Sequence, residues 1–293
     1  MTTDRLARAV ASLRGLAVGD AFGANFFVPA NLPALRERTL PPPVWPWTDD
    51  TEMACSVVTV LARLGTIEQD ALAASFAERH DFDRGYGPGV NRMLRLIRQE
   101  GGDWRTLATA AFGGQGSWGN GAAMRVAPIG AYFADDLDRV VAESAASAEV
   151  THAHPEGVAG AVAVGLATAL RAAEPELRGP EFLDAVAART PAGAVHEGIL
   201  AARALAGDPE AAAAALGNGR DVSAPDTVPF CLWVAAHHLD FATANWVTAS
   251  VGGDVDTTCA IVGGILGESL VPAAWRASCE ELPDWSGVRL TGA

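Results

Sequence analysis

The sequence predicts an all-α protein, and three observations predict it. Much of its 49% hydrophobic content is alanine, the strongest helix former and small enough to let helices approach closely. Apolar residues recur at three- and four-residue spacing in one segment after another, the period of a helix with one buried face. Alternating Val, Ile and Thr runs of strand type are almost absent, so nothing supplies a sheet.

Taken in order, residues 5–18 place Leu6, Ala9, Val10, Leu13, Leu16 and Ala17 on one face, and Gly19 is expected to end that helix. Residues 19–24 then read as a turn, and residues 29–46 as a loop, with Pro41-Pro42-Pro43 too stiff for helix or central strand. The repeat returns over 51–64 through Met53, Val57, Val60, Leu61 and Leu64, stopped by Gly65. Further helices are predicted over 69–79, 89–100, 121–132, 137–147, 156–173, 180–188, 195–206, 229–239, 241–251 and 257–270. No low-complexity linker and no repeat of fixed period divides the chain, so residues 1–293 are expected to form one domain.

The formal net charge is -14 and the sequence pI about 4.8. Such a surface repels phosphate backbones and anionic lipid, which disfavours nucleic acid and membrane as partners and favours cations. Cys55, Cys231, Cys259 and Cys279 show no CxxC spacing or paired framework, as expected of a reducing cytoplasm. Residues 1–10 carry Asp4, Arg5 and Arg8 without an apolar h-region, so no signal peptide is expected. The longest apolar run, 13 residues over 158–170, is too short to span a bilayer and reads as a buried helix.

Two acidic segments carry the chemistry. Trp47-Thr48-Asp49-Asp50-Thr51-Glu52-Met53 and Gly252-Gly253-Asp254-Val255-Asp256-Thr257-Thr258 each lie where a loop runs into a helix. Asp and Thr there are favoured caps, stabilised by the helix dipole. A cap needs one side-chain oxygen, however, and each segment supplies several, of the hard type that suits Mg²⁺, Mn²⁺ or Ca²⁺. Gly252-Gly253 also lets the backbone bring Asp254 and Asp256 close to another group. Were the segments to meet, two carboxylates at 4 Å would repel by about 4 kcal/mol at an effective dielectric near 20. Cations are the usual remedy at neutral pH, and a two-metal site would use this many oxygens. There is no HExxH, the six histidines show no zinc arrangement, and Asp49-Asp50 does not complete a DDxxD, because Met53 stands in the last position.

Residues 112–121 contain GxGxxG at Gly114, Gly116 and Gly119, but no strand precedes it, so a dinucleotide fold is excluded. The segment either cradles a phosphate with backbone N–H groups at the start of the next helix or is a flexible turn. Arg125, in the following helix, reads as a surface or salt-bridged residue more readily than a phosphate ligand. Tyr86, between Gly85 and Gly87, can stack on a base or plug the core. His152, in Thr151-His152-Ala153-His154-Pro155, is a polar cap or a ligand contact.

In order along the chain, GLAVGDAFG (15–23), WTDDTEM (47–53), GNGAAMRVAP (119–128), Thr151-His152 and GGDVDTT (252–258) resemble the ADP-ribosylglycohydrolase family. That family includes the dinitrogenase-reductase-activating glycohydrolase and the ADP-ribosylarginine and ADP-ribosylserine hydrolases. The resemblance implies a compact orthogonal bundle of helices with a binuclear metal centre. It implies two divalent cations, Mg²⁺ or Mn²⁺, held by Thr48, Asp49, Asp50, Asp254, Asp256 and Thr257. Gly119, Asn120, Gly121 and Met124 would line the diphosphate and ribose site with His152 nearby, and Asp20, Tyr86 and Gly87 would contact the substrate. The activity implied is metal-dependent hydrolysis of an ADP-ribosylated protein side chain or small molecule, with free ADP-ribose as product. Asp49 or Asp256 would take the proton from the attacking water.

One departure stands out. Many relatives carry a glutamate shortly after the GDA motif, whereas Gly23-Ala24-Asn25-Phe26-Phe27-Val28 has no acid, and the next is Glu37. Either Asp20 or Glu52 takes its place, or this member is slow, altered in substrate, or an inactive ADP-ribose-binding protein. Hydrolysis of another ribosylated small molecule is the remaining alternative.

Overall fold

The first helix, α1, does not stop at Gly19: it runs over Thr2–Ala24, in a computed structural model that describes residues 2–290. Gly15, Gly19 and Gly23 recur every fourth residue and therefore share one face. That face lies against α15 (Val255–Leu266), where a Cβ on the three glycines would sit 2.4 Å from the Gly263 carbonyl oxygen, 2.2 Å from that of Cys259 and 2.2 Å from that of Val255. These glycines buy backbone contact between two helices, not a turn, and α1 against α15 is the most extensive helix pairing in the molecule. The predicted turn over 19–24 is thus corrected to helix.

Between them lie α2 (Leu32–Glu37), α3 (Asp49–Leu64), α4 (Gln69–Arg79), α5 (Pro88–Glu100), α6 (Trp104–Gly114), α7 (Ala127–Tyr132), α8 (Leu137–Glu149) and α9 (Pro155–Ala173). Then follow α10 (Gly179–Ala187), α11 (Ala194–Ala202), α12 (Pro209–Leu216), α13 (Ala224–His237) and α14 (Phe241–Ser250), with α16 (Ala273–Ser278) after α15. Among the described residues no strand forms; the only β pairing is two isolated bridges, Trp45 with Cys279 and Gly119 with Ser223. The all-α expectation therefore holds.

Several boundaries differ from the sequence expectation. The Pro-rich stretch folds a short α2 before the loop. Residues 121–132 are not one helix but a 3₁₀ turn over Asn120–Ala122 followed by α7. α6, α12 and α16 were not predicted, and α13 starts before 229. Caps mark three of these: Asp103, Asp208 and Ser223 each accept a backbone N–H of the first turn of α6, α12 and α13. α13 tolerates the internal Pro229.

The core is a single buried apolar cluster drawn from nearly every helix. α9 runs through it, and 78% of its most apolar window is buried, as expected of a core helix. An aromatic group (Phe22, Trp45, Trp246 and Trp275) fixes the α1 end nearest the acidic segments, with Phe22 stacked on Trp275 at 4.2 Å.

Candidate active site

The first acidic segment is fastened to α1 by Asp20. Asp20 Oδ2 accepts the Thr48 and Thr51 backbone N–H groups at 2.9 and 3.2 Å and the Thr51 hydroxyl at 2.5 Å, while Oδ1 accepts the Thr48 hydroxyl at 2.8 Å. Both oxygens serve the N-terminus of α3, where a carboxylate also meets the positive end of the helix dipole. Asp20 is fully buried and lies outside the cavity described below. It positions Asp49 and Asp50, and its burial outside the cavity keeps it from a substrate, which corrects the expected contact.

Arg84, which the motifs did not single out, secures the same segment from outside. Its guanidinium lies 3.4 Å from the Trp47 ring centroid, donates to the Trp47 carbonyl at 3.0 Å, and pairs with both carboxylate oxygens of Glu280 at 2.8 Å. A planar fork held on one face and along its edges is stiff, so Trp47 enters α3 in one orientation.

The second segment is set by close backbone approach. Gly252 and Gly253 adopt φ of 67° and 83°, the left-handed region that glycine tolerates, and a Cβ on Gly253 would lie 2.1 Å from the Asn218 carbonyl oxygen. Asn120 Nδ2 donates to Asp254 Oδ2 at 2.7 Å and to Thr227 Oγ1 at 3.1 Å. Asn120 thus orients a carboxylate as well as lining the cavity.

The two segments meet. Asp49, Asp50, Asp254, Asp256 and Thr257 together line a cavity of about 620 Å³. Its walls are Gly85 to Val90 except Tyr86, Met53 and Met93, the Ser117–Gly121 stretch with Met124, and Thr151-His152; Phe112, Trp118 and Val222 also line it. No lysine or arginine lines it among the described residues. A larger depression, about 790 Å³, lies around α12 and the start of α13; it is more open and gathers no buried carboxylates.

Burial and mutual repulsion dominate the electrostatics. Burial, then the charges of Asp20 and Asp254, push the Asp49 carboxyl up to about 8. Burial, then Asp20, Asp256, Asp49 and Asp254, drive Asp50 well above the usual range, and burial, then Asp254 and Asp20, do the same for Asp256. Asp20 rises to about 6 through burial, restrained by its threonine hydrogen bonds. Groups arranged this way favour either protons or cations.

The donors fit hard divalent cations by chemistry: carboxylates and hydroxyls only, no neutralising base, and a buried Asp50 Oδ1 with no hydrogen-bond partner. They do not form a ready-made cage, since among the described residues no three Asp, Glu, His or Cys side chains are gathered tightly enough to hold an ion. Repulsion among unneutralised carboxylates opposes such gathering.

Of the two roles open to Tyr86, the structure shows the core plug, and the expected substrate contact is corrected. Buried, it donates its hydroxyl to Glu52 Oε2 at 2.6 Å and packs edge-on against His80 at 4.6 Å, so it plugs the core beneath the Gly85–Gly87 turn. Glu52 also accepts the Asp81 N–H at 3.0 Å and lies outside the cavity. Neither Asp20 nor Glu52, nor any residue of 24–28, brings an acid to the cavity wall. Arg125 is wholly buried and has no ion-pair partner among the described residues, contrary to the surface role expected; no sequence signal separates a buried arginine from an exposed one at this position. The exposed aromatic pair at the mouth, Phe112 and Trp118 at 4.7 Å, was also missed, because it depends on Phe112 adopting φ 51° where α6 unwinds.

The family model described as ADP-ribosylglycohydrolase matches residues 1–291. ADP-ribosylhydrolase ARH3 of Gallus gallus is 32% identical over 275 residues, covering 80% of this chain and 74% of that protein. ARH3 of Homo sapiens is 30% identical over 274 residues with the same shares. The ADP-ribosylarginine hydrolase Tri1 of Serratia proteamaculans (strain 568) is 25% identical over 296 residues, covering 93% of this chain and 75% of that protein. A solved structure described as an ADP-ribosylglycohydrolase-related protein complex shares the fold, with a TM-score of 0.64 at 22% identity, covering 95% of this chain and 94% of that one.

Proposed function

The chain belongs to the ADP-ribosylglycohydrolase family, and from that premise we propose that it is a divalent-cation-dependent hydrolase releasing ADP-ribose from an ADP-ribosylated protein side chain or small molecule. The observation that carries this reading is the convergence of two distant acidic segments on one cavity whose other walls include glycine backbone, His152, the aromatic pair Phe112 and Trp118, several apolar side chains and Asp221.

On this reading the cavity is polarised from the acidic segments to the aromatic pair. Asp49, Asp50, Asp254, Asp256, Thr257 and Thr48 would hold two cations, Mg²⁺ or Mn²⁺, at the acidic end. When bound, these supply positive charge and Lewis acidity there. The reacting ribose belongs at that end, so that water attacks its anomeric carbon while the bond to the acceptor's nitrogen or oxygen breaks. The departing atom keeps the electron pair and ends with the proton that the water gives up. Asp49 or Asp256 takes the proton from that water. The Gly119–Gly121 backbone and His152 receive the diphosphate in the middle, where absent side chains let the ligand approach closely. Phe112 and Trp118 offer ring faces to the adenine, and base stacking on aromatics contributes about 1–3 kcal/mol.

The test is to incubate the protein with Mg²⁺ and a panel of ADP-ribosyl-arginine, ADP-ribosyl-serine and ADP-ribosylated-base substrates, following free ADP-ribose with and without a chelator. Release abolished by the chelator supports the reading and names the linkage. Release indifferent to the chelator removes the cations from it.

A second reading has one specific observation behind it: the segment over 24–28 carries no acid, and Asp20 and Glu52 are committed to Thr48, Thr51, Tyr86 and Asp81. On that reading the protein binds ADP-ribose without turning over its conjugates. Metal-dependent ADP-ribose binding with no release from any panel member selects it.

A further inference from the structure

Arg125 reaches the cavity only through other groups. Its guanidinium lies 4.6 Å from the Phe76 ring centroid, and Nη2 donates to the Ser147 carbonyl at 2.8 Å and to Thr151 Oγ1 at 2.9 Å. Nη1 donates to the Gly121 carbonyl at 3.3 Å. A guanidinium has no acceptor, so at Thr151 the hydroxyl oxygen must accept.

That commits the Thr151 proton. The remaining neighbour of Oγ1 is His152 Nδ1 at 2.7 Å. If Nδ1 carried the hydrogen, the Thr151 hydroxyl, itself buried, would be a donor without an acceptor, an arrangement that folded proteins avoid. With Thr151 donating to Nδ1, the Thr151 hydroxyl and Nδ1 are both satisfied, and the imidazole hydrogen resides on Nε2. Two glycines make room for that nitrogen: a Cβ on Gly119 would come within 3.1 Å of Nε2, and one on Gly121 within 3.0 Å. His152 lines the cavity, and among the described residues Nε2 has no hydrogen-bond partner. Burial and the nearby Arg125 charge hold the ring down to about 3, hence neutral.

We propose that Arg125 and Thr151 are positioning residues that fix His152 as a neutral Nε2–H donor, directed at an acceptor oxygen of the ligand in the cavity. The identity of that ligand rests on the ADP-ribose reading above, whose phosphoryl and ribose oxygens supply such acceptors; the tautomer does not. A group that orients the far nitrogen of a histidine sets what the near nitrogen can recognise. The site therefore selects an oxygen acceptor over a donor at this point.

Long-range ¹H–¹⁵N spectra of the ¹⁵N-histidine-labelled protein, free and with ADP-ribose, read the tautomer directly. The expected result is a pyrrole-type Nε2 and a pyridine-type Nδ1 for His152, with the Nε2 hydrogen shifting when ADP-ribose is added. Thr151→Val, which keeps shape and loses the hydroxyl, is expected to mix the tautomers and weaken ADP-ribose binding about 5- to 10-fold. Thr151→Ser is expected to restore the single tautomer. A hydrogen on Nδ1 in the wild type, or a Thr151→Val protein with unchanged tautomer and affinity, overturns the relay. Failure of the wild type to bind ADP-ribose overturns the named acceptor, and the ligand-free spectrum still decides the relay.

Discussion

Asn120 holds Asp254 by a 2.7 Å hydrogen bond from Nδ2 to Oδ2, across 134 residues of chain. The bond joins the glycine-rich middle of the sequence to its second acidic segment. A carboxylate tethered this way keeps one oxygen committed and presents the other in a defined direction.

Replacing Asn120 by Ala is therefore expected to weaken divalent-cation binding by about 10- to 100-fold, the usual effect of losing a partner that orients a ligand. Calorimetric titration with Mn²⁺ measures it. Unchanged affinity would remove Asp254 from the cation site, or Asn120 from its support. Asp254→Ala and Asp256→Ala are expected to lower cation affinity and turnover together, and full turnover in either would refute the two-segment site.

The α1–α15 seam gives a stability prediction. Gly19→Ala would place a Cβ 2.2 Å from the Cys259 carbonyl oxygen, a backbone atom that cannot rotate away. Overpacking of this kind costs about 1–3 kcal/mol, to be read from urea unfolding. Gly89→Ala is the contrast: nothing lies within 4 Å and the position is in the first turn of α5. There the loss of unfolded-state entropy is expected to stabilise by about 0.4–1 kcal/mol. Equal effects at both sites would mean that the seam is not tightly packed.

With chelator present, the stability of the folded protein is expected to fall as pH rises from 6.5 to 8. Three of the cavity carboxyls are raised in the folded state, Asp49 to about 8 and Asp50 and Asp256 well above the usual range. The folded state thus binds more protons than the unfolded one. Their stabilising contribution is complete below the unfolded carboxyl pKa and is lost as pH rises through the folded values. His152, lowered to about 3, acts in the opposite sense, but only below about 6.5, so the chosen window excludes it. Each proton taken up by the folded state alone corresponds to about 1.4 kcal/mol per pH unit. Thermal melts of the wild type and of Asp50→Asn, which cannot ionise, should diverge across this window. Parallel curves would show that Asp50 is not part of the coupled cluster.

The aromatic pair at the cavity mouth gives a ligand-resolved prediction. Trp118→Ala is expected to weaken ADP-ribose binding by about 1–3 kcal/mol and to leave ribose 5-phosphate, which has no base, unaffected. Equal loss for both ligands would place the adenine elsewhere.

Helix type and most helix positions were legible in the sequence because amphipathic periodicity and caps are local: 69–79 matches α4, and Asp103, Asp208 and Ser223 mark the starts that periodicity missed. The acidic segments were legible too, since each carries more oxygen than a cap requires. What the sequence could not determine is which groups face one another. Gly15, Gly19 and Gly23 suit a turn or a close helix contact equally well, and only the carbonyls of α15 decide between them. Asp20 and Asp50 are alike as aspartates, yet Asp20 is consumed by Thr48 and Thr51 while Asp50 keeps an unpartnered oxygen in the cavity cluster. Arg125 and Tyr86 turned inward for the same reason. Local residues set propensity and charge, whereas core packing brings distant segments together and so fixes burial, hydrogen-bond partners and the energy of every ionised group.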